Sequence, residues 1–411
     1  MSKYLIILLA LLAGALVFSG CSDDCDDTTT PPTTIPDLDY AGSDQCMSCH
    51  QDYYDNWVKS GHPYKLTKIQ GESPDLLFPE GTAFPSDPVV PPAGYTWEDI
   101  SYTIGGYGWK MRWIDNNGYI ITGIPSNQYN FETETWSDYH LDDPTGTKPY
   151  DCGKCHTTGW VDSDGIGDPN NQDGLEGMTG TFFAGGVHCE QCHGMGTRHV
   201  AAPDDFEMTM DSSSAACGSC HTRDAENRIA ASSGFIKHHE QFDEWSHSPH
   251  NSSIGCNTCH DPHSSVKFDA TMPGNGVLTV CTDCHTTYDG ANMKHNSVPG
   301  CVDCHMPKAT RSAINLTAYV GDIRTHIFNI NTDPVGKTDG MFTEDGKLVK
   351  MDEVGQAAVT LDFACYSCHE DEDGAGGSMA RPLSFQEMSD FVTGADGEGP
   401  IHPQPAVISG R

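Results

Sequence analysis

The stretch Cys256-Asn257-Thr258-Cys259-His260 has the pattern C-x-x-C-H, and this pattern decides the architecture of the chain. It occurs eight times and uses sixteen of the 18 cysteines. The cysteine pairs are Cys46 and Cys49, Cys152 and Cys155, Cys189 and Cys192, Cys217 and Cys220, Cys256 and Cys259, Cys281 and Cys284, Cys301 and Cys304, and Cys365 and Cys368. The histidines that follow them are His50, His156, His193, His221, His260, His285, His305 and His369.

This spacing suits one covalent cofactor. Two thiols separated by two residues can each add to a vinyl group of haem, and the next histidine then reaches the iron as an axial ligand. Structural zinc also uses C-x-x-C pairs, but it does not need a histidine directly after each pair. Disulfide pairing fits eight identical short gaps badly. The sequence therefore predicts eight covalently bound haem c groups.

Each iron needs a second axial ligand or an open face, and twelve histidines lie outside the motifs. Methionine is expected to contribute few ligands or none. Of the adjacent pair His238 and His239, one is expected to bind iron. The eight predicted distal ligands are His62, His188, His199, His239, His250, His263, His295 and His326. His140, His247 and His402 are held in reserve.

Two of these histidines end a repeated local pattern, W-x-x-S-x-H. It runs from Trp57 to His62 and again from Trp245 to His250. A tryptophan followed five residues later by histidine suits a helix that packs its ring on one haem and directs its imidazole at another iron. Coincidence is the alternative, since neither residue is rare here.

The composition predicts an irregular fold. Only 37% of the residues are hydrophobic, and Gly 43 with Pro 25 leave little aliphatic material for a core. We expect short helices and loops wrapped around a haem array within residues 44–370. Small β-hairpins are predicted at about 97–125, turning at Asn117-Gly118 in an insert of about 95–130, and at 341–350. Residues 371–411 are predicted to form a short helix, opened by a capping box at Ser384, and a loose tail.

The N-terminus predicts export. Residues 1–20 have a short apolar run that suits a lipoprotein signal peptide, with Cys21 as the lipidated residue. A signal peptide cut elsewhere, or an uncleaved anchor, is the alternative. Residues 21–43 are predicted to be a disordered tether, in which Cys25 is either a bystander or pairs with another chain. We expect an outer-membrane or cell-surface lipoprotein. A location on the periplasmic face is the alternative.

The net charge of −36 limits the partners. It argues against nucleic acid and against anionic lipid headgroups as electrostatic partners. It is compatible with basic redox proteins and with multivalent metal cations. An acidic surface that serves solubility alone is the simpler alternative.

Three segments resemble known families. The run Cys189 to His199 resembles a segment of the tetrahaem cytochrome c of ammonia oxidisers. Cys259 to His263 and Cys304 to Lys308 are similar to segments of octahaem tetrathionate reductase, hydroxylamine oxidoreductase and pentahaem nitrite reductase. The lipoprotein start resembles outer-surface cytochromes of metal-respiring bacteria. The resemblance implies haems packed in parallel and perpendicular pairs, close enough for electron transfer. Unlike pentahaem nitrite reductase, this chain has no C-x-x-C-K motif, and no tyrosine stands out as a haem cross-link.

Two functions remain. The first is electron transfer by hopping between haems: as a conduit, as a surface reductase of minerals or metal ions, or as a subunit in a filament of copies of itself. The second is an octahaem oxidoreductase that acts on a small nitrogen or sulfur compound at one open haem, with His238, His247 or Lys308 as acid–base candidates. Electron transfer is the favoured function, haem storage a remote third, and whether the protein is an enzyme stays undecided.

Overall fold

The computed structural model describes residues 36–69, 90–131, 133–223, 227–266, 276–286, 295, 300–370, 382–397 and 400–401. The helices of these regions are short. They are α1 Ser43–Met47, α2 Gln51–Trp57, α3 Gly153–His156, α4 Cys189–His193, α5 Thr197–Ala201, α6 Ser214–Gly218, α7 Gln241–Ser246, α8 Cys256–Cys259, α9 Cys281–Cys284, α10 Cys301–His305, α11 Lys337–Gly340, α12 Leu361–His369 and α13 Phe385–Thr393.

The strands are equally short and form small sheets. They are β1 Leu66–Lys68, β2 Ile100–Gly105, β3 Lys110–Asp115, β4 Tyr119–Ile120, β5 Gln128–Asn130, β6 Thr135–Ser137, β7 Lys148–Pro149, β8 Thr157–Thr158, β9 Val161–Asp162, β10 Gly180–Thr181, β11 Ala184–Gly185, β12 Ala231–Ser232, β13 Phe235–Lys237 and β14 Thr310–Arg311.

Every C-x-x-C-H motif coincides with a helix. The helices α1, α3, α4, α6, α8, α9, α10 and α12 each carry part or all of one motif. Residues three apart share a face of a helix, so a single turn places both thiols of a pair on the same side. The turn is closed by the histidine itself: the His50 N–H donates to the Cys46 carbonyl at 2.8 Å, and the His285 N–H to Cys281 at 2.8 Å.

The predicted hairpin at 97–125 belongs to a larger sheet. Seven strands pair in the order β1-β2-β3-β4-β7, with β5 joining β3 to β6. The Asn117-Gly118 turn is present between β3 and β4, and Gly118 has φ +89°. A Cβ there would lie 2.7 Å from the backbone nitrogen of Met178. The predicted insert of 95–130 is too narrow, because β1, β6 and β7 lie outside it.

Three apolar clusters make up the core. Two lie on opposite faces of the seven-stranded sheet, and neighbouring residues such as Trp113 and Ile114 fall into different ones, as the period of two along a strand requires. The third joins residues between Ile229 and Phe363. The second predicted hairpin lies in this cluster as a bridge between Phe342 and Val349. The clusters are small, in line with the low apolar content.

The two ends of the domain differ in how they match the predictions. The predicted tether of 21–43 is wrong for residues 36–42, which pack on the body: the N–H groups of Ala41 and Gly42 donate to the Glu190 carboxylate at 2.7 and 2.8 Å. Residues 1–35, with the signal peptide, Cys21 and Cys25, lie outside the described regions. The capping box at Ser384 is present, since its hydroxyl accepts the Glu387 N–H.

The expected fold class is confirmed: short helices and small antiparallel sheets without a large core. In the described residues, no helix has both the length and the apolarity that a bilayer span requires.

Candidate haem-binding site

All eight motifs line one continuous cavity of about 4830 Å³. Ordinary ligand pockets enclose about 300–1,000 Å³, so this cavity is several times too large for one small ligand. The seven-stranded sheet forms part of its wall through residues such as Lys110 and Arg112. The space lies where a protein of this size would normally have its apolar core.

Histidine rings face each other across this cavity in pairs. Each pair joins a motif histidine to a histidine outside the motifs, at ring-centroid separations between 6.1 and 6.5 Å. The pairs are His50–His199, His62–His221, His156–His239, His193–His263, His250–His285, His260–His326 and His295–His369.

This separation suits one metal ion between two imidazoles. A ligating imidazole nitrogen lies ~2 Å from its metal, so two imidazoles on opposite sides have ring centroids ~6 Å apart. A direct contact between rings would be closer, as with His238 and His239 at 4.5 Å. The residues therefore fit haem iron with two axial histidines, the thiols of each motif standing for the thioether sulfurs of the bound group.

Hydrogen bonds to Nδ1 orient several of these rings. The Nδ1 atoms of His62, His199 and His305 lie 3.1, 2.8 and 2.8 Å from the carbonyl oxygens of Pro262, Phe206 and Phe328, respectively. A histidine that donates from one ring nitrogen to a carbonyl leaves the other nitrogen to bind the metal, and its orientation is fixed.

Electrostatics keep the paired imidazoles neutral, which is the form that binds metal. Burial, and next the positive charge of Lys65, lowers the pKa of His62 and His156 to about 3. The same two causes lower the pKa of His221 to about 4. At neutral pH these rings are therefore free of the extra proton that would block ligation.

The two W-x-x-S-x-H segments have matching local structures. In both, the helix ends at or just after the tryptophan, whose indole N–H donates to a backbone carbonyl: Trp57 to Val187 at 2.9 Å and Trp245 to Ile254 at 3.1 Å. The histidine then lies in the following turn instead of on the helix. Both histidines, His62 and His250, face a motif histidine.

Seven of the eight predicted distal ligands thus face a motif histidine, and His188 does not. Its Nδ1 lies 2.9 Å from the Ser43 hydroxyl and its Nε2 lies 2.9 Å from the Gly185 carbonyl, so both ring nitrogens are engaged by protein. We replace its predicted role as a ligand with one in packing the first and third motifs together.

The reserve histidines lie elsewhere. His238 has its Nε2 3.5 Å from the Lys110 ammonium, while its neighbour His239 faces His156. His247 is buried, with Nδ1 2.8 Å from the Asp243 carbonyl. His140 pairs with Asp143 at 2.7 Å near the surface. His402 lies outside the described residues and stays a prediction.

Contacts between thiols give the order of the motifs in space. Thiol pairs within hydrogen-bonding reach link the first motif to the third, the fourth to the second, and the fourth to the fifth. In four further pairs, the thiol of one motif is close enough to raise the pKa of a thiol in another motif, in addition to the larger effect of burial. The direct pairs are Cys46 with Cys189, Cys155 with Cys220, and Cys217 with Cys256. The further pairs are Cys192 with Cys220, Cys259 with Cys284, Cys281 with Cys301, and Cys304 with Cys368.

Two family models match the chain. Residues 247–290 match the doubled CXXCH motif, and residues 126–194 match cytochrome c554 and c-prime. Together with the eight C-x-x-C-H motifs, these matches support the multihaem c-type cytochromes as the family of this chain. The second match ends in the C-x-x-C-H-G run that begins at Cys189, which is the run that resembled this family in the sequence.

Two known proteins are similar to this chain, one in sequence and one in structure. It is 28% identical over 123 residues to the multihaem cytochrome MtrA of Shewanella baltica, a match that covers 28% of this chain and 32% of that one. The chain therefore spans about a third of that relative's length. It shares the fold of the octahaem sulfite reductase MccA of Wolinella succinogenes, with a TM-score of 0.52 and 19% identity over 82% of this chain and 66% of that one.

Several positioning residues of this cytochrome were not found from sequence. Glu190 sits inside a motif and accepts the N–H of Gly196 at 2.7 Å besides those of Ala41 and Gly42. Arg324 donates to the carbonyls of Val302 and Met306 in and after the seventh motif. No local pattern marks either residue, because their partners are distant in sequence.

Proposed function

We propose that this cytochrome holds eight haems and carries electrons along them. Haem supplies one-electron oxidation and reduction when bound. The observation that carries the proposal is the set of seven facing histidine pairs, such as His50 and His199 at 6.4 Å. At each of these seven sites two histidines on one iron would leave no axial position for a substrate, which favours electron transfer over the alternative of a reaction at an open haem.

The chain arranges its attachment sites in a row. The thiol contacts support the order first, third, fourth, fifth, sixth, seventh and eighth motif, with the second motif attached to the fourth. Haems attached at the thiols of neighbouring motifs would be held near one another, which is the condition for electron transfer between them. Exposed cysteines such as Cys49 and Cys368 lie in the first and last motifs, at opposite ends of this row.

We further propose that the protein acts outside the cytoplasm, as a lipoprotein anchored through Cys21 at the outer membrane or cell surface. The apolar start of the sequence supports export, and the relatives are multihaem cytochromes. Other redox proteins are the proposed partners, with copies of the same chain in a filament, metal ions and minerals as further candidates. The net charge of −36 suits basic or cationic partners.

An electron paramagnetic resonance spectrum of the oxidised holoprotein, with iron and haem counted per chain, tests the proposal. The expected result is eight haems, with the seven between facing histidines low-spin and the whole spectrum unchanged by nitrite, hydroxylamine or tetrathionate. A high-spin component that shifts when one of these compounds is added would instead support the small-molecule oxidoreductase.

A further inference from the structure

Positive charge is concentrated beside the second motif of this acidic protein. Lys and Arg together number 22 against 58 Asp and Glu. Lys110, Arg112, Arg223 and Arg311 nevertheless all line the cavity, and the Lys110 ammonium donates at 2.7 Å to the carbonyl of Ser312, the residue after Arg311. Burial, and then the charges of Arg112, Arg223 and Arg311, hold the pKa of Lys110 well below its usual value. These four cations therefore act on one another at short range, and we call them the basic cluster.

The basic cluster lies next to the histidine pair of the second motif. In that pair the rings of His156 and His239 face each other at a centroid distance of 6.2 Å. Lys110 approaches His238, whose ring contacts that of His239 at a centroid distance of 4.5 Å. The charges thus surround the space in which the group attached at Cys155 must lie.

The contacts of the basic cluster are with neutral groups. The Lys110 ammonium donates to the Ser312 carbonyl at 2.7 Å. Arg112 donates from Nε to Gln128 at 2.7 Å and lies 3.4 Å from the centroid of the Tyr139 ring. Within the described regions, none of these four residues takes part in an ion pair, and the ion pairs of lysine and arginine are formed by other residues.

One carboxylate near Lys110, that of Asp322, is already engaged by backbone groups. Asp322 raises the pKa of Lys110, an effect smaller than those of burial and Arg112 but larger than the separate effects of Arg223 and Arg311. Its two oxygens accept the backbone N–H groups of Ser312 and Ala313 at 2.5 and 2.8 Å, and Asp322 itself is 2% exposed. Partly buried cations that outnumber their counter-charges are costly, and among the described residues these four positive charges have Asp322 as the carboxylate near Lys110, so the cluster has room for a further anion.

We propose that the basic cluster is an oxyanion site at the second motif, built to hold carboxylate or similar oxygens against Lys110 and Arg112. The propionates of the haem attached at Cys152 and Cys155 have this chemistry, and so does a small inorganic oxyanion. The inference rests on the proposed function for its consequence. The second motif contacts the row of motifs at the fourth motif. Positive charge beside the second motif therefore favours an electron on the haem attached there over an electron on a haem of the row.

The test uses the holoprotein with two separate variants, Lys110→Met and Arg223→Gln. Arg223 is exposed, so its replacement leaves the fold intact even if Lys110→Met does not assemble. The control is Lys347→Met, a lysine with 79% side-chain exposure in a 4.0 Å ion pair with Asp345. Haem content is counted first, and each haem is then titrated spectroscopically against applied potential, with and without sulfate.

Two results support the site and name its occupant. If propionates fill it, each variant lowers the ratio of reduced to oxidised haem at one centre by about tenfold at fixed potential without added sulfate, as expected for one lost charge nearby. If an inorganic oxyanion fills it, added sulfate lowers the potential of that haem in the wild type, and the variants need about tenfold more sulfate for the same response; if propionates fill it, sulfate has no effect on the potential of any of the proteins. Lys347→Met changes neither.

Potentials and sulfate binding that equal the wild type in both variants overturn the oxyanion site. The proposed function fails separately, through a haem count below eight or a high-spin signal in the wild-type protein that shifts with nitrite, hydroxylamine or tetrathionate. The two failures are therefore distinguishable within one set of samples.

Discussion

The imidazole of His239 lies 6.2 Å from that of His156, ring centroid to ring centroid, while the rings of the other six pairs keep nearly the same separation. The partners come from distant parts of the chain, and no sheet or helix requires that distance. A shared iron does require it. The facing pairs are therefore the feature from which the following predictions are derived.

Removing one distal histidine is expected to open one haem. His62→Ala takes away the ring that faces His221 at 6.5 Å. Because no other imidazole replaces it, one haem in eight becomes high-spin in the electron paramagnetic resonance spectrum. His140→Ala is the matched control, since His140 pairs with Asp143 near the surface. An entirely low-spin spectrum from His62→Ala would show that His62 is not a ligand.

His188→Ala distinguishes the structure from the prediction made on sequence. The structure uses both ring nitrogens of His188 in hydrogen bonds to Ser43 and Gly185. We expect an unchanged low-spin spectrum and a loss of about 1–3 kcal/mol in the free energy of unfolding, because two partly buried polar groups lose their partner. A new high-spin haem in this variant would restore His188 as a ligand.

Glu190→Gln is expected to release the N-terminal segment 36–42. The two carboxylate oxygens accept three backbone N–H groups, from Ala41, Gly42 and Gly196. An amide replaces one acceptor by a donor, at a cost of about 2 kcal/mol. Limited proteolysis should cut within this segment faster than in the wild type, at equal haem content. Glu353→Gln, at an exposed position, is the control. Equal cleavage rates in all three proteins would contradict the role of Glu190.

Arg324→Met is expected to loosen the seventh motif. The guanidinium donates to the Val302 and Met306 carbonyls at 2.8 and 3.1 Å and to Asp303 at 2.8 Å. Since the Arg324 side chain is 40% exposed, the expected loss of unfolding free energy is about 1–2 kcal/mol after screening. Arg324→Lys keeps the charge but can donate to fewer acceptors, so its unfolding free energy should lie between those of the wild type and Arg324→Met. Thermal unfolding followed by haem absorbance measures the stability of both variants. Equal midpoints in all three proteins would argue that Arg324 does not stabilise the seventh motif.

The sequence predicts much of this fold because its governing signals are local. The C-x-x-C-H spacing defines the helical turns and the Asn117-Gly118 pair defines a real turn. The low apolar content correctly indicates the absence of one large core. The extent of the seven-stranded sheet was missed, since β1 and β7 pair with strands far along the chain.

The distal histidines were predictable only in part, for a physical reason. His188 abuts a cysteine of the third motif, a placement that suggested ligation, yet Ser43 and Gly185 occupy its nitrogens. The basic cluster could not be predicted from the sequence, because Lys110 and Arg311 are separated by 201 positions and come together only in the folded protein. Seven of the predicted distal histidines face a motif histidine, and their ligation of iron stays a prediction.

The intact mass of the purified, processed protein tests the central claim most directly. The account predicts a mass that exceeds the polypeptide and its acyl chains by eight haems, with red absorbance that persists after acid extraction because the bonds are thioethers. A mass equal to that of the polypeptide and lipid alone, with sixteen free thiols, would contradict it.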